Sequence, residues 1–108
     1  MLAIIRAEVH GVVPYPGGPL SISANGTTNG ILWTVERFGV DADGLGAIAP
    51  GILRAYDPGN LATMLYDSSQ AGSRDTLDFA AKFSLPLVVN GKVFVASTSQ
   101  LTAYGLLL

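Results

Sequence analysis

A short pattern occurs twice in this 108-residue chain. Asn29-Gly30-Ile31-Leu32-Trp33 aligns with Asn90-Gly91-Lys92-Val93-Phe94, each an Asn-Gly pair running into a segment with an aromatic at its centre. Each copy is followed by Leu-x-Ala-Tyr, as Leu53-Arg54-Ala55-Tyr56 and Leu101-Thr102-Ala103-Tyr104. Each is preceded by Pro and an apolar segment, Pro19-Leu20 and Pro86-Leu87. The offset is 61 residues for the Asn-Gly pairs and 48 for the Leu-x-Ala-Tyr motifs, so the first copy carries 13 extra residues between them. A chain built from a repeated unit stacks copies of that unit, because one copy cannot cover its own apolar faces.

Period-two alternation and turn chemistry give the unit its secondary structure. Ala3, Ile5, Ala7 and Val9 alternate with Ile4, Arg6, Glu8 and His10, which predicts a strand over 2–10. Residues 11–18, with Pro14, Pro16, Gly17 and Gly18, read as a linker. Further strands are expected at 20–24, 31–35, 52–56, 62–66, 85–89, 92–96 and 100–107. Asn25-Gly26, Asn29-Gly30 and Asn90-Gly91 read as turn dipeptides, since Asn and Gly tolerate positive φ. Asp57-Pro58-Gly59-Asn60 is a further turn. A long loop is expected over 38–51, and one helical turn over 76–81 with Thr76 as its cap.

The expected fold is therefore all-β. One unit is strand, turn, strand, loop, strand, and the first copy adds a fourth strand at 62–66. Four antiparallel strands in roughly 40–50 residues describe a propeller blade, and a ring closes with about 4–8 blades. The chain is expected to form about two such blades, a partial β-propeller whose second blade lacks its own fourth strand. Its parts are an N-terminal strand and linker (1–18), a first blade (19–69) with an insertion (37–51), a connector (70–83) and a last, incomplete blade (84–108). The strand at 2–10 is a candidate to complete the second blade, in the same chain or a neighbour. The competing expectation is a fragment whose upstream blades are missing.

Composition narrows the function. Charged residues make up 13% of the chain and apolar residues 49%, which excludes disorder driven by charge. Net charge is −2 without a basic block, so no nucleic-acid partner is expected. Zero Cys removes disulfides, thiolate nucleophiles and iron–sulfur ligation. Arg6, Glu8 and His10 interrupt the apolar start, so no signal peptide is predicted, and no window reaches the ~18 apolar residues of a membrane helix.

From Gly30 onward, about three-quarters of the chain resembles the C-terminal end of bacterial quinoprotein-like β-propellers, the pyrroloquinoline-quinone (PQQ) repeat group. The resemblance is carried by Ile31-Leu32-Trp33, Leu53-Arg54-Ala55-Tyr56-Asp57, Asn60-Leu61 and Leu65-Tyr66-Asp67-Ser68. The linker 70–75, Lys82-Phe83, Pro86, Asn90–Val95 and Leu101–Gly105 extend it. It implies a structural or binding segment that works as scaffold or interaction surface, with further blades as partners, in the parent chain or by self-association. It also implies a periplasmic or secreted parent. The alternative is part of a PQQ-dependent dehydrogenase. Such enzymes hold the quinone between a Trp and a vicinal disulfide, with Ca²⁺ on an acid and an amide. Without Cys, those elements lie outside this chain, so no catalytic residue and no cofactor is assigned to it.

Four charges cluster in the connector: Arg74, Asp75, Asp78 and Lys82. An Arg there suits pairing with a carboxylate, as a clamp between blades or part of a binding rim. Asp41-Ala42-Asp43-Gly44 begins like a calcium loop, but position 12 counted from Asp41 is Ile52 where an EF-hand needs Glu. Asp41 and Asp43 are thus read first as a surface turn, with a weak Ca²⁺ site that borrows other oxygens as the alternative. Trp33 and Phe94 are expected to pack between blades. His10 has no Gly-x-Ser-x-Gly partner motif, and no phosphate-binding glycine pattern occurs.

Overall fold

The computed structural model describes residues 19–37, 51–79 and 85–105. The strand expected at 2–10, the linker at 11–18, most of the 37–51 insertion and positions 80–84 and 106–108 lie outside the described residues. All regular elements described are strands: β1 (Leu20–Asn25), β2 (Thr28–Arg37), β3 (Gly51–Asp57), β4 (Asn60–Asp67), β5 (Leu87–Val89), β6 (Lys92–Ala96) and β7 (Leu101–Tyr104). They form a four-stranded antiparallel sheet in the order β1-β2-β3-β4 and a three-stranded antiparallel sheet in the order β5-β6-β7.

Alternation decides which side chains meet. In the first sheet Trp33 lies opposite Ala55, and Val35 opposite Leu53, on one face. Tyr66, opposite Ala55, extends that face onto β4. In the second sheet Val88, Val93 and Tyr104 share a row, and Val95 and Thr102 the next. These two faces form one apolar layer. Val35, Leu53, Leu77, Val93 and Val95 are its buried centre, with Trp33, Tyr66, Val88 and Tyr104 packed around them. Leu53 and Val95 are each 0% exposed. Full burial of such a side chain contributes about 1.5–3 kcal/mol.

The two sheets repeat one register. Trp33 opposite Ala55 and Leu32 opposite Tyr56 in the first become Phe94 opposite Ala103 and Val93 opposite Tyr104 in the second. Upstream the match moves by one residue from the expected alignment of the two Pro-Leu pairs. Ser21 pairs Trp33 and Leu87 pairs Phe94, so Leu20 is the counterpart of Pro86. The cause is the hairpin connection, which separates the paired residues by twelve positions in the first sheet and seven in the second.

Two further expectations are corrected. Asn29-Gly30 is not a turn but lies within β2, after a turn at Gly26-Thr27 and opposite a register shift in β1. Asn29 still has φ 55°, close to the 51° of Asn90. Asn90 and Gly91 (φ 72°) close a two-residue hairpin of the type that needs positive φ twice. The helical turn from Thr76 is absent over 76–79, the described part of that span. Its backbone bonds outward instead. Gly51 N–H donates to the Asp78 carbonyl (3.1 Å) and Thr98 N–H to the Phe79 carbonyl (3.0 Å). Thr76 donates its hydroxyl back to the Ser73 carbonyl at 3.1 Å. The expected loop also shortens, because Arg37 pairs with Gly51 as the last rung between β2 and β3.

Leu53 and Leu101 occupy equivalent positions in the two motifs, yet Leu101 is 72% exposed. Leu53→Ala is expected to lower unfolding stability by about 2–5 kcal/mol. Leu101→Ala is expected to change it by less than about 0.5 kcal/mol. Urea denaturation followed by Trp33 fluorescence checks the pair, and equal losses would contradict the face assignment.

Candidate functional site

The connector leaves β4 through turns at 68–75, and Asp78 and Phe79 then bond to β3 and to the β6–β7 turn. Leu77 fills the apolar layer, which fixes the side chains beside it. Tyr66 on β4 donates its hydroxyl to the Asp75 carboxylate at 2.9 Å. Tyr104 on β7 donates to the Asp75 carbonyl at 3.1 Å. One residue thus holds a side chain from each sheet. The two rings meet edge to face, with centroids 6.5 Å apart.

Arg74 pairs with Asp75 through two hydrogen bonds of 2.6 Å each, with its own side chain mostly in solvent. Those Arg74 bonds, aided by the Tyr66 hydroxyl, hold the Asp75 carboxyl below the usual range against a smaller burial effect. Burial, then the Asp75 hydrogen bond and charge, push Tyr66 well up; burial and then Asp75 raise Tyr104. Both phenols therefore remain protonated donors at neutral pH.

Asp78 does not join this group. Its carboxylate accepts from the Ser99 hydroxyl and from Thr98 Oγ1 at 3.4 Å, tying the connector to the β6–β7 turn. The Ser99 bond is the main cause of its lowered pKa. Lys82, Asp41, Asp43 and His10 lie outside the described residues. Trp33 is committed to the layer and donates its indole N–H to Ser23 Oγ at 2.8 Å.

Sequence reasoning missed a second polar group, on the opposite face of the four-stranded sheet. Arg54 donates Nε–H to Asp67 Oδ2 at 2.9 Å and pairs with Glu36 through its terminal nitrogen. The Tyr56 hydroxyl donates to Glu36 Oε1 at 3.2 Å. Asp67 Oδ1 also accepts from Ser69 N–H (2.8 Å) and Ser69 Oγ–H (2.5 Å). Burial alone would raise the Asp67 carboxyl, but the Ser69 and Arg54 hydrogen bonds outweigh it and leave it lowered. Desolvation works against the Arg54 charge, yet Asp67 and Glu36 raise its pKa overall. Alternation within Leu53-Arg54-Ala55-Tyr56 places Arg54 and Tyr56 on one face. Their acids lie 18, 13 and 20 residues distant, and only the strand register brings them close.

Both groups spend their polar atoms on one another, an arrangement that fixes elements in place. Among the described residues, no three His, Cys, Asp or Glu side chains gather at metal-binding distance. No described helix is long and apolar enough to cross a membrane. Comparison with protein-family models, curated proteins and solved structures gives no match.

The lowered Asp67 carboxyl sets a direction with pH. Its stabilisation is present above the unfolded value of about 3.9 and is lost as pH falls through the lower folded value. Asp67→Asn is expected to cost about 1–3 kcal/mol at pH 7. It is also expected to reduce the stability lost between pH 5 and pH 2, measured by urea denaturation across that range. A variant with the wild-type acid profile would show that Asp67 carries no such linkage.

Proposed function

We propose that this chain is a structural segment of a quinoprotein-like β-propeller, two adjacent blades that serve as scaffold or interaction surface. The observation that carries the reading is the position of the two repeated aromatics. Trp33 and Phe94 hold the same place in the same register, so they project to the same side of their sheets. The side that Trp33 occupies is covered by the second sheet. The side that Phe94 occupies carries Leu87, 58% exposed, and Leu101. A blade presents one face to each neighbour, and this succession of covered and bare faces fits a stack read in one direction.

The strand order supports the same reading. The first strands of the two sheets, β1 and β5, approach each other, and the Ser21 hydroxyl donates to the Pro86 carbonyl just before β5. Radial sheets meet at their inner strands in this way. The connector then acts as the tie between blades, with Asp75 holding β4 and β7. No described residue is given a catalytic role.

Blades depend on their neighbours for protection. Amide exchange and light scattering after gel filtration are expected to find slow exchange in β5 and β7, the edge strands that carry the exposed Leu87 and Leu101, only in species larger than a monomer. A monodisperse monomer with both strands fully protected would overturn the reading, because the pair of sheets would then be a complete domain.

A further inference from the structure

We propose that Asn25-Gly26, at the tip of the β1–β2 hairpin, is a self-modification site, where Asn25 passes through a cyclic imide to an aspartyl or isoaspartyl residue. The chemistry is local to one hairpin and is separate from the reading of the sheets as blades. Its only co-reactant is water. The Gly26 amide nitrogen gives up its proton and attacks Asn25 Cγ. A Cγ–N bond forms, the Cγ–Nδ2 bond breaks, and ammonia leaves with the proton. Water then opens the five-membered ring at one of its two carbonyls. One opening restores the ordinary backbone, with a carboxylate in place of the amide. The other routes the backbone through the former side chain and lengthens it by one carbon. Both add one negative charge at the hairpin tip.

The sequence holds three Asn-Gly pairs, and the fold distinguishes them. A following glycine leaves the attacking nitrogen without a side chain beside it, so the three are alike in an unfolded chain. Closure brings that nitrogen against the asparagine side chain. At positive φ this is the backbone of the first central residue in a type II′ turn, a place that suits Gly alone. Asn29 and Asn90, with φ of 55° and 51°, must therefore leave the left-handed region before they react. Asn25, the last residue of β1, is not left-handed and reaches the geometry by rotating ψ. Anchoring differs as well. A Cβ on Gly30 would stand 3.0 Å from Pro58 Cγ, so the β3–β4 turn packs Gly30, whereas one on Gly26 would meet nothing within 4 Å. Regular rungs run up to Asn90, with Val88 opposite Val93 and Val89 opposite Lys92, while the register slips between Ser23 and Asn25. Residues 25–28 are all exposed, so water reaches the amide. A hydroxyl supplies the activating contact: Thr28 Oγ1 donates to the Asn25 carbonyl at 2.9 Å. That oxygen shares a peptide unit with the Gly26 nitrogen and takes up charge when the nitrogen loses its proton. A donor placed there stabilises the attacking anion.

Site-resolved mass spectrometry during incubation at mildly alkaline pH tests this. In the folded chain, deamidation at position 25 is expected to run about tenfold or more ahead of positions 29 and 90, which must first break strand hydrogen bonds. In concentrated guanidinium chloride the three rates are expected to converge. Thr28→Val is expected to slow position 25 about threefold or more and leave positions 29 and 90 unchanged, with Thr28→Ser restoring the wild-type rate. Asn25→Gln is expected to remove the first acidic species that ion exchange separates from the aged protein. A rate at position 25 no faster than at 29 or 90 in the folded chain overturns the proposal. So does a lead that persists unchanged in guanidinium chloride, since local sequence and not the fold would then set it. A folded Thr28→Val chain with the wild-type rate at position 25 overturns the part given to the Thr28 hydroxyl. Should Thr28→Val lose its β-sheet circular dichroism, the folded and unfolded wild-type rates decide the proposal without it.

Discussion

One apolar layer holds this structure together. Val35 and Leu53 from the first sheet meet Val93 and Val95 from the second, with Leu77 of the connector between them. Neither sheet has a second layer of its own among the described residues. The burial that stabilises β3 is therefore the same burial that stabilises β6. Sheet-on-sheet contact is the ordinary route by which a one-sided apolar sheet becomes stable. Here it makes the two sheets a single unit of unfolding.

The polar groups reinforce that layer at its margins. Asp75 receives Tyr66 from one sheet and Tyr104 from the other, so the hydroxyls satisfy themselves where the rings leave the apolar contact. Asp78 and Phe79 add backbone and side-chain bonds to β3 and to the β6–β7 turn. The Arg54 group works within one sheet, stitching β2, β3 and β4 on the face away from the layer. Each group is closed on itself, which leaves the apolar strand faces as the surfaces with something still to bind.

Much of this was legible in the chain. Alternation and turn residues located the seven described strands, and the repeat located the register that β2–β3 shares with β6–β7 but missed by one residue upstream of it. Asn29-Gly30 misled for a local reason: its left-handed Asn resembles that of Asn90, but the longer first hairpin places it inside a strand. One helical turn was expected after Thr76, but the carbonyls of 78 and 79 accept instead from Gly51 and Thr98, outside the connector. Sequence named Asp75 alongside Arg74, Asp78 and Lys82 but could not give it Tyr104, 29 residues away. The Arg54 group escaped altogether, since its members align only after three strands are paired.

The rung between Arg37 and Gly51 has a consequence for how such a chain can vary. The thirteen residues between them leave and return at neighbouring points of one ladder. Closure entropy grows slowly with loop length, about 0.6 kcal/mol for each doubling. A graft or an extension at this position would therefore tax the fold lightly, so the sheet can act as a fixed socket for exchangeable segments.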